Sequence, residues 1–66
     1  MQATLLKSEM VKQGLTQKSL AELIGIKDTT LSHKMTGKTS FTVAEAVQIM
    51  DALGLDEETA VQIFLN

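Results

Sequence analysis

Four polar side chains, Asp28, Thr29, Ser32 and His33, fall at spacings that gather them on one face of a helix, while Leu31 and Met35, four apart, point inward from the other. The gathered face offers a carboxylate, two hydroxyls and an imidazole, all short groups able to hydrogen-bond. It is not equipped for catalysis. His33 is the only histidine, cysteine is absent, and no glycine-rich phosphate loop or carboxylate pair set against a base can be assembled. The chain therefore reads as a non-enzyme with no cofactor and no metal. Asp56-Glu57-Glu58 is acidic enough to suggest a cation site, but calcium loops need spaced oxygen ligands and a glycine bend that this run lacks. Helix capping accounts for it better, with Asp56 as the cap and Glu57 and Glu58 beside the positive helix end.

The elements that must position the polar face lie in the run from Leu15 to Lys38, LTQKSLAELIGIKDTTLSHKMTGK. Thr16 is suited to accept from the free N–H groups of a helix that starts at Gln17, and Leu20, Leu23 and Ile24 then form its apolar stripe. Gly25 ends that helix, because the reversal needs a positive φ that costs a β-carbon-bearing residue roughly 1 kcal/mol or more. Ile26 plugs the corner, and the second helix follows with its polar face outward. Two short helices on a tight turn, over about residues 16–36, have the spacing of a DNA-reading helix-turn-helix.

Three further helices account for most of the remaining chain, which has no proline and only two aromatic residues. One runs from near Ala3 to Gln13, apolar at Leu6 and Met10 with Leu5 and Val11 flanking, and stops at Gly14. Thr42 with Glu45 is a capping box for a helix over Val43–Leu53, whose stripe is Val43, Val47, Ile49, Met50 and Leu53, and Gly54 closes it. Asp56 opens the last helix, apolar on more than one side at Val61, Phe64 and Leu65. The expected class is all-α.

Sixty-six residues allow one domain, 1–66, that buries only about 60% of its unfolded surface. Dimerisation is the remaining way to add stability. No segment approaches the roughly 20 apolar residues of a membrane span, and MQATLLKSEM lacks the basic-then-apolar order of a signal peptide. The expected location is the cytoplasm, which the lack of cysteine also fits. Net charge is −2, but it is divided unevenly. Residues 1–40 hold all six lysines against Glu9, Glu22 and Asp28, a balance of +3. Residues 41–66 hold five acids and no base, a balance of −5. Local field governs attraction to a phosphate backbone, so the basic half that contains the two-helix run is compatible with DNA.

These residues resemble the Cro and repressor (Xre-type) helix-turn-helix family of temperate phages and related bacterial regulators. The likeness runs from Leu6 to about Leu55 and is carried by Leu15-Thr16-Gln17, Leu20-Ala21, Gly25-Ile26, Leu31-Ser32, Gly37-Lys38 and Ala52-Leu53-Gly54. It is similar in particular to small phage-encoded regulators that end soon after a fifth helix. The resemblance implies a five-helix, lambda-repressor-like DNA-binding domain, with the helix-turn-helix formed by helices two and three. It implies contacts from Thr16, Gln17, Lys27, Thr36 and Lys38 to the DNA backbone, and places Asp28, Thr29, Ser32 and His33 at the base-reading positions. There Asp28 would accept from a cytosine amino group, Thr29 touch a thymine methyl, and Ser32 or His33 donate to guanine N7 or O6.

Three positions depart from the family pattern. Lys27 stands where a capping Ser or Thr is usual, so the third helix starts weakly or takes its cap from Asp28. Met10 and Met35 replace an ion pair by apolar residues, a swap that is often neutral or stabilising. Lys34 replaces a buried aliphatic residue, with its stem expected over the core and its amine carried out to solvent or phosphate.

The implied function is a transcriptional regulator, a repressor that binds a palindromic double-stranded DNA operator as a homodimer. The alternative is a protein-interaction module, a modulator or antirepressor that binds another phage or host regulator instead of DNA. Net acidity, Asp28 on the reading helix and the apolar C-terminus favour that alternative. Ile63, Phe64 and Leu65 either close the core or form a subunit interface.

Overall fold

Side chains that satisfy the first free N–H groups start three of the helices. In the computed structural model, which describes residues 1–65, Thr16, Thr42 and Asp56 accept from the backbone N–H of Ser19, Glu45 and Thr59 at 3.1, 3.1 and 2.7 Å. They open α2 (Gln17–Ile24), α4 (Val43–Leu53) and α5 (Glu57–Phe64). Thr42 belongs to a full capping box, since its own N–H donates to Glu45 Oε1 at 2.8 Å. α1 (Ala3–Lys12) and α3 (Asp28–Met35) start without a side-chain cap. At α3 the cap position belongs to Lys27, and Asp28 lies inside the helix, so the cap does not pass to Asp28.

One device ends α1, α2, α3 and α4. At α2, Gly25 takes φ 75°, its N–H donates to Glu22 O at 3.3 Å, and the N–H of Ile26 donates to Ala21 O at 3.0 Å. This paired closure satisfies two carbonyls at the helix end and turns the chain sharply. Its last residue is apolar at three of the four ends, where Leu15, Ile26 and Leu55 pack into or against the core. At α3 it is Lys38, exposed to solvent.

The helices surround a core in which Leu6, Leu20, Leu31, Ile49, Leu53 and Ile63 are fully buried, joined by Met10, Ala21, Ile24, Met35 and Leu55. α2 packs on both α3 and α4, and α5 packs on α1 and α4. The Gln2 N–H donates to Ile63 O at 2.8 Å, pinning the start of the chain to α5.

Two stripes differ from the sequence expectation. On α2, Leu23 is 60% exposed and Ala21 is buried in its place. Clamping between α3 and α4 turns the buried arc toward the small Ala21 and leaves Leu23 outside. On α4, Ile49 and Leu53 face the core while Val43 and Val47 are exposed. Val11 of α1 is likewise exposed. Of the three C-terminal residues offered as an interface, Ile63 closes the core of its own chain and is withdrawn from that role, Phe64 is half-buried, and Leu65 is exposed.

Lys34 behaves differently from a snorkelling lysine. Its amine turns back to Glu45 Oε1 at 2.9 Å and to Ser40 O at 3.0 Å, and lies 5.9 Å from the centre of the Phe41 ring. Phe41 meets Phe64 edge to face at 5.5 Å. One largely buried amine thus ties the end of α3 to the start of α4, and the aromatic pair extends the tie to α5.

Two outcomes are expected. Gly25 has no atom near the position of an added Cβ, so Gly25→Ala brings backbone strain without a clash and lowers unfolding free energy by about 1 kcal/mol in urea titrations. The Thr42 backbone N–H and the Lys34 amine hold the Glu45 carboxyl below its ordinary value. A depressed carboxyl contributes stability that is fully present above its unfolded pKa and is lost as pH falls through the folded one. Glu45→Gln keeps the capping geometry without the charge, so it should cost about 1 kcal/mol at neutral pH and flatten the acid limb of a stability–pH curve relative to the parent chain.

Candidate nucleic-acid interface

The polar face of α3 forms as its spacing requires. With Leu31 and Met35 buried, Asp28, Thr29 and His33 are exposed, and Ser32 is half-buried beside them. Thr36 and Lys38 follow at the end of the helix, both exposed, and Lys27 is exposed at its start.

The first turn of α2 meets this face. The Gln17 amide nitrogen donates to Asp28 Oδ1 at 2.8 Å and stands 3.4 Å from the Asp28 carbonyl oxygen. One bond therefore joins the first residue of α2 to the first residue of α3, eleven positions away. A helix leaves its first N–H groups without intrahelical acceptors. Thr16 takes the N–H of Ser19, and its hydroxyl also lies 2.8 Å from the Ser19 hydroxyl. The N–H groups of Gln17 and Lys18 have no intrahelical acceptor at this positive end of α2.

The lysines divide by role. Among the described residues Lys12 pairs with Glu9 at 3.0 Å and Lys34 with Glu45, whereas Lys18, Lys27 and Lys38 make no ion pair. These three lie around the two-helix run, so its neighbourhood is more cationic than the net charge suggests. Lys34 is tied inward and does not carry its amine to a phosphate.

Of the residues named from sequence, the structure brings Gln17 and Asp28 into contact; Thr16 lies beside Gln17 at the start of α2, and the others lie on α3 and at its two ends. What the sequence did not reveal is that Gln17 and Asp28 are bonded to each other. The signal was present as two hydrogen-bonding residues opening consecutive helices, but only the crossing of those helices brings them within reach. Asp56 is a cap, and the bond from Thr59 holds its carboxyl below the ordinary value. Among the described residues no cluster of three or more His, Asp or Glu side chains is placed to hold a metal ion, and no helix is long and apolar enough to cross a membrane.

No curated protein and no solved structure matches this chain at a significant level. A helix-turn-helix family profile does, over residues 6–59, from the middle of α1 into the first turn of α5. This span contains the capped start of α2, the Gly25 turn and all of α3, and the chain belongs to that helix-turn-helix family of DNA-binding regulators.

Proposed function

We propose that this chain is a sequence-specific repressor that binds a palindromic operator as a homodimer and acts by occluding it. The observation that carries the reading is the junction of the two helix starts at Gln17 and Asp28, which presents free N–H groups of α2 beside the polar face of α3. α3 enters the major groove, and the start of α2 abuts the sugar–phosphate backbone. Thr16, Gln17, Lys27, Thr36 and Lys38 fix register on phosphates, while Asp28, Thr29, Ser32 and His33 face base edges.

The homodimer follows from weak charge. With no arginine and few free lysines, one subunit neutralises only ~3 to 5 phosphates, and a second copy doubles that number. Exposed Val43, Val47, Val61 and Leu65 supply apolar surface that a two-fold contact can bury, in place of the inaccessible Ile63.

A second reading, a module that binds another regulator, draws on the same surface. α4 and α5 flank an apolar groove lined by Val43, Val47, Met50, Val61 and Leu65, with Glu57 at its edge. The two readings part over the lysines beside α3.

Selection of bound sequences from a random DNA pool should yield a two-fold symmetric consensus with half-sites about one helical turn apart. Equal retention of all sequences would reject operator reading. Lys27→Glu and Lys38→Glu should weaken binding about equally on every sequence and leave the consensus unchanged. Unaltered DNA affinity in both variants, together with capture of a cognate regulator, would favour the interaction module.

A further inference from the structure

The last two helices carry the same run of residues. Ala46-Val47-Gln48-Ile49-Met50 of α4 returns fourteen positions later as Ala60-Val61-Gln62-Ile63-Phe64 of α5, and the caps Thr42 and Asp56 stand four residues ahead of each run. The two copies are buried alike. Ile49 and Ile63 are fully covered, Val47 and Val61 are 50% and 45% exposed, and Ala46, Met50, Ala60 and Phe64 are half-buried. Each isoleucine goes to the core, so each helix turns its alanine, its valine and its Met or Phe into the groove that separates α4 from α5.

This groove has the form of a seat for a helix. Small Ala46 and Ala60 leave it open, and Met50 is a flexible side chain that adapts to varied partners. Eleven residues of α4 and eight of α5 make walls about 16 and 12 Å long, which match a helix of about three turns with apolar anchors one turn apart.

Charge names the occupant. Glu57 lines the groove, and Asp51, four positions after Val47, continues its flank along α4. Among the described residues Asp51, Glu57 and Glu58 make no ion pair, and residues 41–66 contain no lysine, arginine or histidine to answer them. A second copy seated here by a two-fold axis brings the same acids with it, so part of what apolar burial gains is lost to like charge. A basic helix gains on both counts. We propose that the α4–α5 groove is the docking site of a basic amphipathic helix from another protein, and that docking displaces a second copy of the chain from this face. The inference rests on the reading of this groove as a protein-binding face and names the chemistry of its partner.

The test uses the full chain and three synthetic peptides of about three helical turns. One carries leucines one turn apart with lysines elsewhere, one replaces the lysines by glutamates, and one keeps the lysines but scatters the leucines around the helix. In titrations followed by backbone amide NMR, the first peptide should shift signals of α4 and α5 and bind at least about tenfold more tightly than either control. Val47→Ser with Val61→Ser, at exposed positions, should weaken it about tenfold while the urea midpoint holds. Glu57→Gln with Asp51→Asn should weaken it several-fold, and less so at high salt. In sedimentation, the lysine peptide should convert dimer to monomer.

Equal binding of the scattered peptide, or undiminished binding by the serine variant, would leave charge attraction alone and overturn the groove as the site. Equal or tighter binding of the glutamate peptide would overturn the basic partner while the groove stands as a protein-binding face. Self-association that the serine variant loses but the lysine peptide cannot dissolve would assign the groove to a second copy and overturn the proposal. A monomeric chain that binds none of the peptides would overturn both the proposal and the reading beneath it.

Discussion

The clamping of α2 between α3 and α4 is the constraint on which the rest of the molecule depends. Leu20, Ala21 and Ile24 are all buried along one side of an eight-residue helix that would not persist alone in water. Burying Leu20 and Ile24 contributes about 1.5–3 kcal/mol each, a large share of the stability available to a domain of this size. Ala21 adds little area, and the packing of α2 on α3 holds Gln17 within reach of Asp28. The bond between the two helix starts thus depends on the apolar packing of α2.

Features governed by local chemistry were legible in the sequence. Thr16, the Thr42–Glu45 box and Asp56 cap by bonds spanning three residues, and Gly25 and Gly54 turn the chain by their own φ, so type and spacing disclose them. The buried faces of α2 and α4 were less legible. Leu23 and Val47 are apolar like the buried residues of their helices, and which of them reaches the core depends on the direction from which other helices approach. The same limit holds at the polar face of α3. Periodicity alone separates Asp28, Thr29, Ser32 and His33 from Leu31 and Met35, but a bond across two helices has no local signature.

Lys34 shows how one substitution for an aliphatic residue can be absorbed. A lysine at a largely covered site needs a partner for its charge, because isolated burial of an ammonium is costly. Here the partner was already required: Glu45 sits at the third position of α4 to complete a capping box, and its Oε1 accepts from both the Thr42 N–H and the Lys34 amine. The Ser40 carbonyl and the Phe41 ring complete the amine's surroundings. A cap that would be local in most helices thereby joins α3 to α4, at the expense of one lysine that would otherwise add to the field around α3.

That loss bears on how a DNA reader of this charge obtains discrimination. Phosphate attraction raises affinity for every sequence alike, so a protein rich in cations must find its site against strong competition from the rest of the duplex. With Lys12 and Lys34 engaged internally and five acids in the last 26 residues, few cations of this chain are left to raise that attraction. Under the proposed function, each base contact then forms a larger fraction of the total binding energy. A carboxylate on the polar face of α3 would act in the same direction in that role, since it would weaken association with any duplex that does not offer it a donor. Under the proposed function, Asp28 therefore favours the operator mostly by making other sites worse, a mode of selection that a modest set of hydrogen bonds can sustain.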